Sequence, residues 1–146
     1  MKGIDRVQSL GEEIANSVTH GLGALASLVA LPFLVMAGLP HGAGVVAGNV
    51  AFGASLFLLY ISSTIYHSLA RNRAKRVFRI IDHSAIYVLI AGTYTPFMLG
   101  VLRGPWGWSL LAVVWGLAVL GVGMTSAVGV KYPRASVVVY IMMGWL

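Results

Sequence analysis

Glu13, Asn16, His20, Ser63, His67 and Asp82 are the residues of this sequence whose types and spacing could do chemistry. Glu13, Asn16 and His20 are three and four positions apart, which puts them on one face of a helix, and Gly23 and Ser27 continue that stripe. Ser63 precedes His67 by four positions, a spacing at which the hydroxyl can orient or hydrogen-bond the imidazole, and Tyr60 extends the stripe by a turn. Neutral imidazole and carboxylate suit zinc, whose catalytic sites take three protein ligands and a water. The adjacent Asp82 and His83 point about 100° apart on a helix, so at most one faces a given point. Asp82 is the favoured one.

The elements that position these groups are membrane helices. Hydrophobic residues make up 58% of the chain and charged residues 10%, with 18 glycines and a mean hydropathy of +0.86. Apolar runs near 21–38, 44–66, 84–101 and 108–130 approach or exceed the roughly 20 residues that cross a bilayer core. A fifth, "SVVVYIMMGWL", is about half that length. The runs lack the alternation of barrel strands. The expected fold class is therefore an all-α integral membrane protein, with four transmembrane helices and a truncated fifth in one domain over residues 1–146. The N-terminal "MKGIDRVQSLGEEIANSVTH" separates its basic residues from the apolar run by acids and amides, unlike a cleavable signal peptide. Without cysteine the chain forms neither disulfides nor thiolate metal sites.

Short loops rich in Lys and Arg stay on the cytoplasmic side. Here Lys2 and Arg6 precede helix 1, Arg71, Arg73, Lys75, Arg76 and Arg79 lie between runs two and three, and Lys131 and Arg134 between runs four and five. The intervening loops hold only Arg103. This predicts a cytoplasmic N-terminus, and the net charge of +6 becomes a topology signal rather than a nucleic-acid footprint. His67 then ends helix 2 and Asp82 begins helix 3 at one membrane face, with Glu13, Asn16 and His20 at the same depth. His41, in an outer loop, is on the wrong side to join them.

Each feature also has a plainer reading. A histidine at a helix end is often an interfacial residue. Asp82 reads equally as a helix N-cap or as a partner of Arg79 or Arg76. Burying so many polar groups at one depth is costly unless they satisfy one another or bind something. In "AGTYTPF", residues 91–97, Pro96 leaves the carbonyl of Gly92 without its helix donor, and Thr93 and Thr95 are positioned to help, with a kink expected late in helix 3. The Gly44 and Gly48 pair would let helices approach closely, and Trp106 and Trp108 read as interface anchors.

The blocks "EEIANSVTHG" (12–21), "SSTIYHSL" (62–69) and "DHSAIYVLIAGTYTPF" (82–97), with the terminal "GWL", resemble the hemolysin III family, the bacterial branch of the progestin and adiponectin receptor superfamily. The resemblance implies the first part of a seven-helix bundle in the bacterial inner membrane. In that superfamily zinc is held near the cytoplasmic side by the histidine of an S-x-x-x-H motif and by two histidines of an H-x-x-x-H motif in helix 7. By resemblance His67 is the first ligand, Asp82 is the acid that holds or activates metal-bound water, and Ser63 is the serine associated with the site. No histidine pair at i and i+4 occurs in the 146 residues, so the zinc site is expected to be incomplete in this chain. The implied activity is zinc-dependent hydrolysis of an amide or ester, in a lipid substrate. A pore-forming or haemolytic protein, or a non-catalytic regulator of membrane homeostasis, is the alternative.

Overall fold

The structure, a computed structural model, describes residues 8–146; Lys2 and Arg6, which entered the charge bias above, lie outside them. Five helices follow one another: α1 (Leu10–Gly38), α2 (Ala43–Ser68), α3 (Arg73–Gly100), α4 (Pro105–Val128) and α5 (Pro133–Gly144), with a short 3₁₀ turn at Leu39–His41. The chain is all-helical, as expected, and is a multi-pass membrane protein. Residues Leu10–His41, Ala43–Ser68 and Pro105–Val128 are long and apolar enough to cross a membrane. The 28-residue α3 falls outside that group: Arg73, Lys75, Arg76, Arg79 and Asp82 lie in its first half, and His83, Ser84, Thr93, Thr95 and Pro96 dilute the apolar stretch that follows. It nevertheless lies between α2 and α4 and packs against both.

Local chemistry sets the helix starts. Ser9 caps α1 through a capping box: its hydroxyl accepts from the Glu12 N–H at 3.3 Å while the Glu12 carboxylate accepts from the Ser9 N–H at 2.8 Å. Proline opens α4 and α5, where its missing N–H costs nothing. Turns of a few residues join the four long helices, so successive helices are antiparallel neighbours, and α5 packs on α3 and α4. Gly42 (φ 94°) and Gly104 (φ 121°) take backbone conformations in two of these turns that residues with a Cβ adopt poorly. Those two turns meet: the Arg103 guanidinium donates from Nη2 to the His41 carbonyl at 2.8 Å.

The exposure pattern is inverted relative to a water-soluble protein. Leu25, Leu28, Phe33, Val119 and Leu120 are exposed, whereas buried positions include Ser27, Ser55, Ser62, Ser63, Thr95 and Thr125. Lipid is an apolar solvent, so helix association there rests on close packing of small residues instead of on sequestering leucine. Gly44 and Gly48 do this against α3, as expected: a Cβ on Gly48 would stand 2.5 Å from Pro96 Cα, and one on Gly44 2.9 Å from the Leu99 carbonyl oxygen. The larger side chains Tyr87, Val114 and Met143 fill a core between α3, α4 and α5.

Two expectations are corrected. Helix α3 starts at Arg73, well before the apolar run, because Asn72 caps it by accepting from the Lys75 N–H at 3.0 Å and "RAKRVFR" is rich in helix formers. Arg73, Lys75, Arg76 and Arg79 are therefore helical, and Asp82 sits more than two turns inside α3 instead of capping its start. Near Pro96, the hydroxyls of Thr93 and Thr95 donate to the carbonyls of Ile90 (2.7 Å) and Ala91 (2.8 Å), not to that of Gly92. Thr95 Oγ1 also accepts from Trp115 Nε1 at 3.1 Å, which ties α4 to α3.

Candidate functional site

The site is built where α1, α2 and α3 meet at the end of the molecule that carries the basic α2–α3 turn. On α1 the exposed Leu10, Ile14, Val18 and Leu22 alternate with half-buried Glu13, Asn16, Ser17 and His20, so the polar stripe faces its neighbours and the apolar one faces lipid. Gly23 sets the distance to α2, since a Cβ there would lie 2.8 Å from the Tyr60 ring. The Tyr60 ring stands edge-on to His20, with centroids 5.8 Å apart.

Glu13 links three helices. Its Oε2 accepts from His67 Nδ1 on α2 at 2.8 Å, and its Oε1 accepts from Lys75 Nζ on α3 at 2.7 Å. Lys75 also donates to the carbonyl of Leu69 at 3.1 Å, closing the C-terminal end of α2, and its ammonium lies 5.0 Å from the Tyr66 ring centroid. The side chains of His67, Glu13 and Lys75 are 8%, 17% and 12% exposed. Charges so withdrawn from water are tolerated because each answers another. An ionised carboxylate can only accept, so the proton between Glu13 and His67 belongs to Nδ1 and His67 presents Nε2.

A second pair lies one turn along. His20 Nδ1 and Ser63 Oγ are 2.6 Å apart, and the His20 and His67 rings are 5.9 Å apart, edge to face. At the rim, Ser68 Oγ donates to the Thr64 carbonyl at 2.7 Å, so Ser17 is the donor in its 2.6 Å bond to Ser68. A cavity of about 750 Å³ lies at the opposite end, near His41 and Arg103. The one beside this site, about 540 Å³, is lined by Glu13, Ser17, His67, Ser68, Arg71 and Lys75 among others.

The structure thus gathers Glu13, His20, Ser63 and His67, with partners that differ from the spacing argument. Ser63 serves His20 on the neighbouring helix instead of His67 on its own. Asn16 lies on the same stripe, half-buried, without a side-chain hydrogen bond among the described residues. Asp82 makes no direct hydrogen bond or ion pair with His67 among the described residues; its Oδ2 lies 3.6 Å from His83 Nδ1, which itself stands 3.0 Å from the Arg79 carbonyl. Lys75 was missed. It pairs with Glu13 across 62 positions, a relation no local pattern encodes.

The donor set decides how far zinc fits. A histidine that donates Nδ1–H to a carboxylate and leaves Nε2 free has the orientation of a metal-ligating imidazole. Among the described residues, however, no three His, Cys, Asp or Glu side chains gather closely enough to hold a metal ion. The described residues supply one oriented imidazole and not a complete zinc site.

Residues 8–146 match the haemolysin-III related family. The chain belongs to that family. It is 49% identical over 140 residues to "Hemolysin-3" of Bacillus cereus, covering 95% of this chain and 64% of the relative. It is 48% identical over 139 residues to "Hemolysin-3 homolog" of Bacillus subtilis (strain 168), covering 94% of this chain and 65% of the relative. The chain thus spans just under two-thirds of the length of these curated relatives. No solved structure matches it.

Proposed function

We propose that the whole haemolysin-III related protein is a membrane-embedded, zinc-dependent hydrolase of an amide or ester bond in a lipid, and that this chain contributes one arm of its site. The observation that carries the reading is the Glu13–His67 pair: a nearly buried imidazole held by a carboxylate, with its second nitrogen left for a ligand. His67 is the metal ligand in this reading. Ser63 and His20 support the wall beside it, and Asp82 is assigned to water handling on the strength of the family resemblance.

A membrane-permeabilising role is the reading that the relatives' names suggest. A conducting pore needs a polar lining along its length. Ser27, Ser55 and Thr95, the buried hydroxyls further along the helices, instead bond to carbonyls of their own helices, which favours a site at one end.

The experiment is metal content after dialysis against a weak chelator. The 146-residue chain is expected to retain well under one zinc per molecule. A version extended by the segment of the Bacillus cereus relative that this chain does not cover is expected to retain one, and to lose it on His67→Ala. Stoichiometric zinc in the unextended chain, or none in the extended one, would overturn the reading.

The basic end is proposed as the cytoplasmic face, since seven of the eight Lys and Arg residues among the described residues lie on that side of the alternating helices. The naturally cysteine-free chain permits single-cysteine labelling. Ala43→Cys is expected to react from outside intact cells and Ala70→Cys only after permeabilisation; the opposite pattern would reverse the orientation. Both residues are exposed and neither has the positive φ of Gly42 or the capping role of Asn72.

A further inference from the structure

The start of α3 carries more positive charge than the site beside it uses. Lys75 is neutralised by Glu13, but Arg71, Arg73 and Arg76 have no acidic partner among the described residues. The first turn of α3 contains no acid, and its cations stand at the end of the helix where the backbone dipole opposes them. Arg73 and Arg76 stand three positions apart along one side of α3, Arg79, which has an interaction of its own, follows at the same spacing, and Arg71 joins them from the turn. Together with Tyr66, Asn72 and the Glu13-paired Lys75 they line a concavity of about 360 Å³. By contrast Arg103, the lone basic residue at the other end, is engaged with the carbonyls of Leu99 and His41.

Like charges collected in one concave groove repel one another, and an anion placed among them reduces that cost. Guanidinium groups match phosphate in particular, because their planar forks donate two parallel hydrogen bonds to it. The surface next to the groove selects the source of the phosphate. Val77 and Ile81 are 49% and 37% exposed, and they follow Arg73 at intervals of four, so one face of α3 passes from cation to bare apolar side chains on its way into the membrane. A free phosphate has no use for that stripe; an acyl chain does.

We propose that this groove binds an anionic phospholipid, its headgroup phosphate among Arg71, Arg73 and Arg76 and its acyl chain along Val77 and Ile81. The groove adjoins the cavity of the Glu13–His67 pair, sharing Arg71 and Lys75 with it, but its lipid binding stands whether or not that pair serves a metal. Basic side chains at a membrane surface each contribute enough to change headgroup affinity about fivefold. The test uses the 146-residue chain in phosphatidylcholine nanodiscs titrated with phosphatidylglycerol, with bound lipid counted by native mass spectrometry. Arg73→Gln is expected to weaken phosphatidylglycerol retention about fivefold, and the Arg73→Gln, Arg76→Gln pair about 25-fold. The Arg73→Lys, Arg76→Lys pair, which keeps the charge but not the planar fork, is expected to fall between the parent and the glutamine pair, separating headgroup recognition from any loss of fold. The Lys131→Gln, Arg134→Gln pair removes equal charge from the α4–α5 turn and is expected to change retention less than about twofold. Equal weakening by that pair would mean diffuse attraction, and displacement of phosphatidylglycerol by inorganic phosphate would mean a free-anion site. Either result would overturn the proposal.

Discussion

Replacing Gly48 by valine is expected to separate α2 from α3 and to destabilise the protein by about 3 kcal/mol, at the upper end of overpacking penalties. The reason is that the atom in the way is backbone. A Cβ at Gly48 would stand 2.5 Å from Pro96 Cα and 2.8 Å from Pro96 N, and proline, fixed in φ, cannot rotate aside as the tip of a side chain would. The same substitution at Gly116, where nothing lies within 4 Å, is expected to be nearly neutral, because the valine would enter lipid. Thermal unfolding in detergent compares the two. Equal midpoints would mean that α2 and α3 do not meet at the Gly48–Pro96 contact.

Glu13→Leu is expected to cost a similar amount, about 3 kcal/mol, for a different reason. It removes two charge-assisted hydrogen bonds at once and strands the Lys75 ammonium in a nearly buried position. Because the stranded charge accounts for much of that loss, adding Lys75→Met should recover part of it, giving a favourable coupling in a double-mutant cycle. Glu13→Gln should fall between, since the amide keeps an accepting oxygen at one of the two positions that face His67 and Lys75 and places an NH2 donor at the other. Unchanged unfolding midpoints in Glu13→Leu would mean that the three-helix junction contributes nothing.

What was legible in the sequence was whatever depends on one helix at a time. Runs of apolar residues announced the spans, the Lys and Arg positions announced which helix ends share a side, and Gly44 and Gly48 announced a close approach that the structure makes against Leu99 and Pro96. Relations between helices were less legible. Spacing paired Ser63 with His67, yet His20 takes the serine, because the rotation of α1 against α2 is set by Gly23 packing on Tyr60 and not by any pattern within α2. The start of α3 was missed because hydropathy marks where a helix enters lipid, whereas Asn72 and the Lys75–Glu13 pair hold its charged first turns in helical form. That difference moved Asp82 from a helix start to the side of a formed helix, with its Oδ2 3.6 Å from His83 Nδ1.

The direct measurement of the site is where His67 carries its proton, read from the ¹⁵N shifts of selectively histidine-labelled protein at alkaline pH, where imidazoles are neutral. The expected result is a proton on Nδ1 in the wild-type protein, held by Glu13, with Nε2 unprotonated and open to a ligand, and loss of that preference in Glu13→Leu. A wild-type His67 protonated on Nε2, or one indifferent to Glu13→Leu, would contradict the oriented imidazole on which the proposed function rests.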